Sequence, residues 1–259
     1  ANAAAAAREA EAARLEAVRT ARGTGLIVRL DAFEDFVQDS FDRRCDCIST
    51  NGDATILLFD DGGWAWTGGL NKGLHKALQG RQKTLPRPTC VSISRDRWFV
   101  HFADGAWKGN VPDELKDSLL IECRQGRMVA SVAFGEGYDT YFVVYTDGGW
   151  GRSSAWSGSS SSSSSSSSGC SSSSSSSSDS VSLPQGLLKL LTSRNYRCDL
   201  EAVSLGPNGE WYISAQNGRA WWGGLADGMK SSVAEAGANN VTFMDFGEDY
   251  TWLLRYRDG

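Results

Sequence analysis

The groups in this 259-residue chain that could do covalent or metal chemistry are few: two histidines, six cysteines and a set of loop carboxylates. A nucleophilic triad needs a histidine beside a serine or cysteine. His101 alternates with Phe99 and Ala103 in a strand-like run, and His75 stands alone, so both read as structural or solvated. Zinc sites need closely spaced Cys and His ligands. Cys45, Cys47, Cys90, Cys123, Cys170 and Cys198 contain no C-x-x-C pair, and we expect no metal and no cofactor. There is no G-x-S-x-G elbow and no G-x-x-x-x-G-K-[ST] phosphate loop. Gly135-Glu136-Gly137 begins a GxGxx pattern but reads as a turn, because Gly206 and Gly247 recur in related places. Glu136, Asp139, Glu248 and Asp249 would need to converge in pairs to cleave a glycosidic bond. On related turns they read as solvated loop acids, and we expect a protein that is not an enzyme.

Aromatic faces are the remaining chemistry, since tryptophan is a platform for sugar rings, cations and partner proteins. The chain has 10 tryptophans. Trp64, Trp107, Trp150 and Trp221 each follow one kind of turn, and a residue that recurs in every unit normally packs units together. Trp66, Trp156 and Trp222 are less regular and are the candidate binding residues.

The elements that must position these groups are announced by the turns Asp61-Gly62, Asp104-Gly105, Asp147-Gly148, Asn217-Gly218 and Asp258-Gly259. Their steps are 43, 43, 70 and 41 residues, and the long step contains a serine tract of about the excess length. A fixed period in this range marks a propeller, a solenoid or a similar array. One unit is clearest over residues 200–236. A strand over 200–205 leads through Pro207-Asn208-Gly209 to a second strand over 211–215. Asn217-Gly218 predicts a two-residue hairpin into a third strand at 220–222, and residues 225–236 have helical spacing. Six residues before each turn stand Thr55, Trp98, Tyr141, Trp211 and Trp252, a structural column. The same count places Cys47 and Cys90 with Ala133, Val203 and Met244 as small buried hydrophobes.

The last copy, VTFMDFGEDYTWLLRYRDG, supplies two strands, while residues 26–41 read as the strand and helix it lacks. The two ends therefore predict a ring of five units closed by one unit shared between the termini, with residues 26–30 paired to 251–256. Residues 1–22 read as an exposed Ala-rich helix, 23–259 as the repeat domain, and the Ser-rich stretch 157–180 as a disordered insertion. Twenty-six basic against 31 acidic side chains, a net charge of −5, give no basic block for nucleic acid. No apolar run is long enough for a membrane span, and no signal peptide is visible. With cysteines read as reduced thiols, we expect a cytoplasmic protein that is part of a larger protein or assembly.

This form of repeat, carried by GPNGEWYISAQNGRAWWGG and FGEGYDTYFVVYTDGGW, resembles β-propeller repeats. It looks most like the blades of tachylectin-type five-bladed lectins and, more distantly, of the RCC1 family. The resemblance spans about 45–259 as architecture, although the helix after the third strand departs from both patterns, and no sugar-binding residue transfers position by position. The expected fold is mainly β, a propeller-like array of about five repeats of three strands plus a short helix. The expected function is a non-enzymatic protein-interaction or scaffold module with a protein partner. The alternative is a lectin-like propeller with several equivalent carbohydrate sites.

Overall fold

The computed structural model describes residues 26–28, 45–60, 62–80, 86–154, 183–237, 240–248 and 250–256. The expected helices at 1–22 and 31–41 and the serine insertion lie outside them. Among the described residues fifteen strands form five three-stranded antiparallel sheets. The first sheet is β1 (Leu26–Val28), β15 (Trp252–Tyr256) and β14 (Val241–Phe246), with β15 central; the others follow chain order. These are β2 (Cys45–Thr50), β3 (Ala54–Phe59) and β4 (Trp64–Gly68); β5 (Pro88–Ile93), β6 (Trp98–Phe102) and β7 (Trp107–Asn110); β8 (Val129–Phe134), β9 (Tyr141–Tyr145) and β10 (Trp150–Arg152); and β11 (Leu200–Leu205), β12 (Trp211–Ala215) and β13 (Ala220–Gly223). A helix follows each of these four sheets: α1 (Lys72–Gln79), α2 (Asp113–Arg124), α3 (Gln185–Ser193) and α4 (Asp227–Ala236). The expected unit of three strands and a short helix is therefore present.

The first strands sit side by side. β2 packs against β5, β5 against β8, β8 against β11, β11 against β14, and β14 against β2. The two chain ends meet in one sheet, where Leu26, Ile27 and Val28 pair with Arg255, Leu254 and Leu253. Apolar side chains fill the spaces between sheets. Leu74, Ala77 and Leu78 of α1 join Ile56 and Leu58 to Val91 and Val100 of the next sheet. Leu115 and Leu119 of α2 join Phe99 to Val132 and Val143, and Leu187 and Leu191 of α3 join Phe142 to Val203 and Ile213. Each buried leucine contributes about 2 kcal/mol, so every helix acts as a wedge that neither neighbouring sheet can lose cheaply. The aromatic column is structural as expected: Trp98 lies against Gly73 at the start of α1 and Trp211 against Gly186 at the start of α3, where an added Cβ would fall 2.9 and 3.0 Å from the indole.

Three register details differ from the expectation. The Asp-Gly and Asn-Gly turns are three-residue loops, because Phe59, Phe102, Tyr145 and Ala215 each accept from the glycine N–H and donate to the residue after it. Gly62, Gly105, Gly148 and Gly218 all adopt φ between 78° and 85°, the left-handed geometry that closes such a loop. Trp221 is not equivalent to Trp64, Trp107 and Trp150: Ala220 holds their register, opposite Ser214, and Trp221 pairs with Ile213 on the other face. The turn has the same length there, but its tryptophan comes one residue later. Lastly, the column of Cys47 and Cys90 continues as Ser131, Ala202 and Phe243 and not as Ala133, Val203 and Met244. Counting back from the outer turn fails because the hairpin between first and second strands varies in length.

All five first strands also share a bulge that sequence patterning did not reveal. Pairing shifts by one residue at the same place in each, leaving Asp46, Thr89, Ala130, Glu201 and Thr242 unpaired. A bulge bends and twists its strand. Repeated five times, it does so at the same place in every sheet.

Candidate functional site

The five first strands line two cavities. The larger, of about 360 Å³, opens among the turns that join first to second strands: Asn51, Ser94 to Arg97, Gly135, Glu136, Tyr138, Pro207 and Glu248 border it. The smaller, of about 220 Å³, opens at the bulged ends, where Asp46, Thr89, Glu201 and Thr242 lie. Between them runs a ring of equivalent residues, Ser49, Ser92, Ala133, Ser204 and Asp245, in which Ser92 and Asp245 touch both cavities.

Asp245 is the one ionisable group in that ring. Its Oδ2 accepts the Thr50 N–H at 2.7 Å and its Oδ1 accepts the Ser204 hydroxyl at 2.5 Å. Ser49 makes the corresponding contact one sheet on, accepting the Ile93 N–H at 3.0 Å. Asp245 thus ties β14 to β2 as Ser49 ties β2 to β5, but with a carboxylate. Burial pushes its pKa up from 3.8 to about 6, against the hydrogen bonds from Ser204, Thr50 and Ser49 that favour the charged form.

At the larger mouth, Arg97 is nearly sealed. Its Nη1 donates to the carbonyls of Gly137, Tyr138 and Thr140 at 2.7, 3.0 and 2.9 Å, and its Nη2 to Gly135 at 2.5 Å. A planar fork of donors suits this ring of carbonyls, and the guanidinium also lies 4.9 Å from the centre of the Phe134 ring. Arg97 therefore braces the longest of these turns, adding to the two backbone bonds that close it, from the Gly135 N–H to Thr140 and from the Thr140 N–H to Gly137. Around it stand exposed groups: the Arg95 side chain, 81% exposed and 3.8 Å from Glu248, and Tyr138, 45% exposed.

No family model matches the chain, and no curated protein matches it. A solved structure of YCF48 bound to D1 peptide is similar to it over 70% of this chain, with 10% identity and a TM-score of 0.23. This chain spans 49% of that one. Such a likeness bears no weight here, and the fold rests on the strand pairing described above.

The candidate binding residues from the sequence that are described line neither cavity. Trp66 lies on outer strand β4, 40% exposed, with its ring 4.7 Å from Trp64 and 5.0 Å from His75. Trp222 lies half-buried on β13 against the core that contains Tyr212 and Phe243. Trp66 pairs with Ile56 and Trp222 with Tyr212, the same place in two sheets, where the other two carry Gly109 and Arg152. Trp156 and Asp249 fall outside the described residues. Glu136 and Glu248 do border the larger cavity. His101 is buried beside the Thr89 hydroxyl, 3.0 Å from its Nδ1, and burial lowers its pKa to about 4. Among the described residues no helix is long and apolar enough to cross a membrane.

Asp245 and Arg97 are the residues that sequence reasoning missed. A signal for Asp245 exists: aligned on the first strands, it is the acid in a column of small residues. Arg97 carries none, because its partners belong to the next sheet's turn.

Proposed function

We propose that this chain is a non-enzymatic protein-interaction module, a five-bladed ring closed by the pairing of its two ends, and that its partner docks on the rim of the larger cavity. The observation that carries the reading is the makeup of that rim. Five turns of different sequence meet there, presenting Arg95, Tyr138 and Glu248 around the buried Arg97. Function on a repeat scaffold resides in what the repeats do not share, and exposed aromatic and arginine side chains are the usual anchors of protein interfaces. The candidate catalytic groups have structural neighbours instead: His101 is buried against Thr89, and His75 packs on two tryptophans. A lectin with several equivalent sites would need its aromatic platform in every blade, whereas the shared position carries Trp66, Gly109, Arg152 and Trp222.

Affinity capture with the whole chain tests this. A protein retained by the wild type and lost with Arg95→Glu combined with Tyr138→Ser supports the rim. Retention unchanged by those substitutions, or saturable binding of a glycan at several sites per chain, overturns it.

A further inference from the structure

We propose that Cys47 and Cys90 are a redox-active pair that peroxide joins into a disulfide bridging the first two blades at the smaller cavity. The two cysteines hold the same position on adjacent first strands, β2 and β5, and both line that cavity. The Cys47 side chain already reaches across the gap. Its Sγ accepts the Val91 N–H at 3.4 Å and its thiol donates to the Val91 carbonyl at 3.6 Å, so it lies against the residue next to Cys90. The equivalent hydroxyl of Ser131 makes the same two contacts with Val203, at 3.3 and 3.0 Å. The reach is therefore built into the fold, and in one interface out of five a second thiol stands at its end.

The pair is also divided by role. Cys47 is held below the ordinary thiol range, first by the Cys90 thiol acting as donor to it and further by the Val91 backbone, while Cys90 is raised well above that range by the same contact and by burial. Cys45, two residues from Cys47, is buried and pushed up to about 12. Since the thiolate is the nucleophile, Cys47 reacts first and Cys90 resolves. The Cys47 thiolate attacks one oxygen of hydrogen peroxide. The O–O bond breaks, the leaving hydroxide takes up a proton as water, and Cys47 becomes a sulfenic acid. The Cys90 sulfur then attacks Cys47 Sγ, the S–O bond breaks, and the departing hydroxide leaves with the Cys90 thiol proton as a second water. Two thiols lose two electrons, and one peroxide becomes two waters.

The test is peptide mapping of the whole chain, reduced, desalted and exposed to a small excess of hydrogen peroxide. The expected result is loss of two hydrogen masses and a linked pair of peptides whose fragmentation places the bond between Cys47 and Cys90. In Cys90→Ser, dimedone should trap a sulfenic acid at Cys47, and in Cys47→Ser it should find none at Cys90. Both variants carry the residue that Ser131 already places in this column, which favours folding. The proposal is overturned if the wild type forms no disulfide, if the bond joins Cys47 to Cys45 or to any other cysteine, or if Cys90 is the thiol that dimedone labels.

Discussion

The turn between second and third strands is the same object in four sheets, whereas the turn between first and second strands comes in three lengths and five sequences. The outer turns share length, a left-handed glycine and, at Asp104, Asp147 and Asn217, a side-chain oxygen that accepts the N–H two residues on. The hydrogen bonds that close each loop on itself are local, so one short pattern specifies all of them. The inner turns are each closed by a local backbone bond, to the carbonyl of Ala54, Arg97, Thr140, Glu210 or Thr251, and are braced further by individual, partly distant contacts. Arg97 clamps the turn of the next blade, Glu210 accepts the Asn208 N–H at 2.8 Å, and Asn51 donates to Ser94 of the neighbouring blade at 3.3 Å. Local turns repeat the fold, and individually tethered turns leave one rim free to vary.

The strongest way to break this contrast is to remove a tether. Arg97→Ala takes away the donor to four buried or half-buried carbonyls and should cost about 4 kcal/mol, the scale for deleting a buried charged partner. Chemical denaturation measures the loss. Hydrogen exchange should localise increased opening to residues 135–140. Uniform loosening of the molecule, with no excess there, would contradict the tether.

Asp245 should give the next largest effect, of opposite sign. Its folded pKa of about 6 exceeds its unfolded 3.8, so its contribution is full below about pH 4 and fades as pH rises to about 6. At neutral pH the ionised group leaves stability lower by about 3 kcal/mol, taking 1.36 kcal/mol per pH unit. Asp245→Asn keeps an acceptor for Thr50 and should recover about that amount at pH 7. His101 runs the other way: folded about 4 and unfolded 6.5, it costs stability as pH falls from 6.5 towards 4. In the wild type the two slopes oppose each other, and Asp245→Asn should expose the histidine slope. Denaturation midpoints from pH 4 to 7 check this, and parallel curves for the two proteins would refute the assignment to Asp245.

The same contrast explains what was legible from the sequence. The outer turns are local, so the repeat, the four helices, the aromatic column and the pairing of the ends were all readable. Trp221 misled because its turn keeps its length while its tryptophan shifts by one, and a one-residue slip in a strand reverses the face. The cysteine column misled because the intervening inner turns differ in length. Asp245 and Arg97 were hidden for a deeper reason. Each acts on residues of another blade, and such partners are close in space while being roughly 40 or 195 residues away in the chain.

The outer turns permit a finer comparison, since four glycines share one conformation but not one environment. A non-glycine residue in the left-handed region costs about 1 kcal/mol or more at each. Beyond that, a Cβ at Gly148 would lie 2.7 Å from the Cys198 carbonyl oxygen and 2.9 Å from Asp199 Cα, at Gly62 2.9 Å from Arg87 Cβ, and at Gly105 3.3 Å from Met128 Sδ. Backbone cannot yield as a methionine side chain can. Alanine at Gly148 should therefore cost about 3 kcal/mol, with Gly62 between and Gly105 near 1 kcal/mol. Equal losses at all three would mean that backbone strain alone sets the cost.

The smallest effect on stability should come from the rim, and it is the one that separates fold from function. Arg95 and Tyr138 are exposed, and among the described residues the only tie of either side chain to the tether is the Tyr138 ring, at the edge of reach 6.0 Å from the Arg97 guanidinium. Arg95→Glu and Tyr138→Ser should each change stability by less than about 0.5 kcal/mol. If the rim is the docking surface, either one should weaken partner binding at least about tenfold, as loss of an interface anchor does. Isothermal titration beside denaturation reads both quantities on one preparation. A rim variant that loses stability and binding together would place Arg95 or Tyr138 among the tethers, and the division between repeated structure and variable surface would have to be drawn elsewhere.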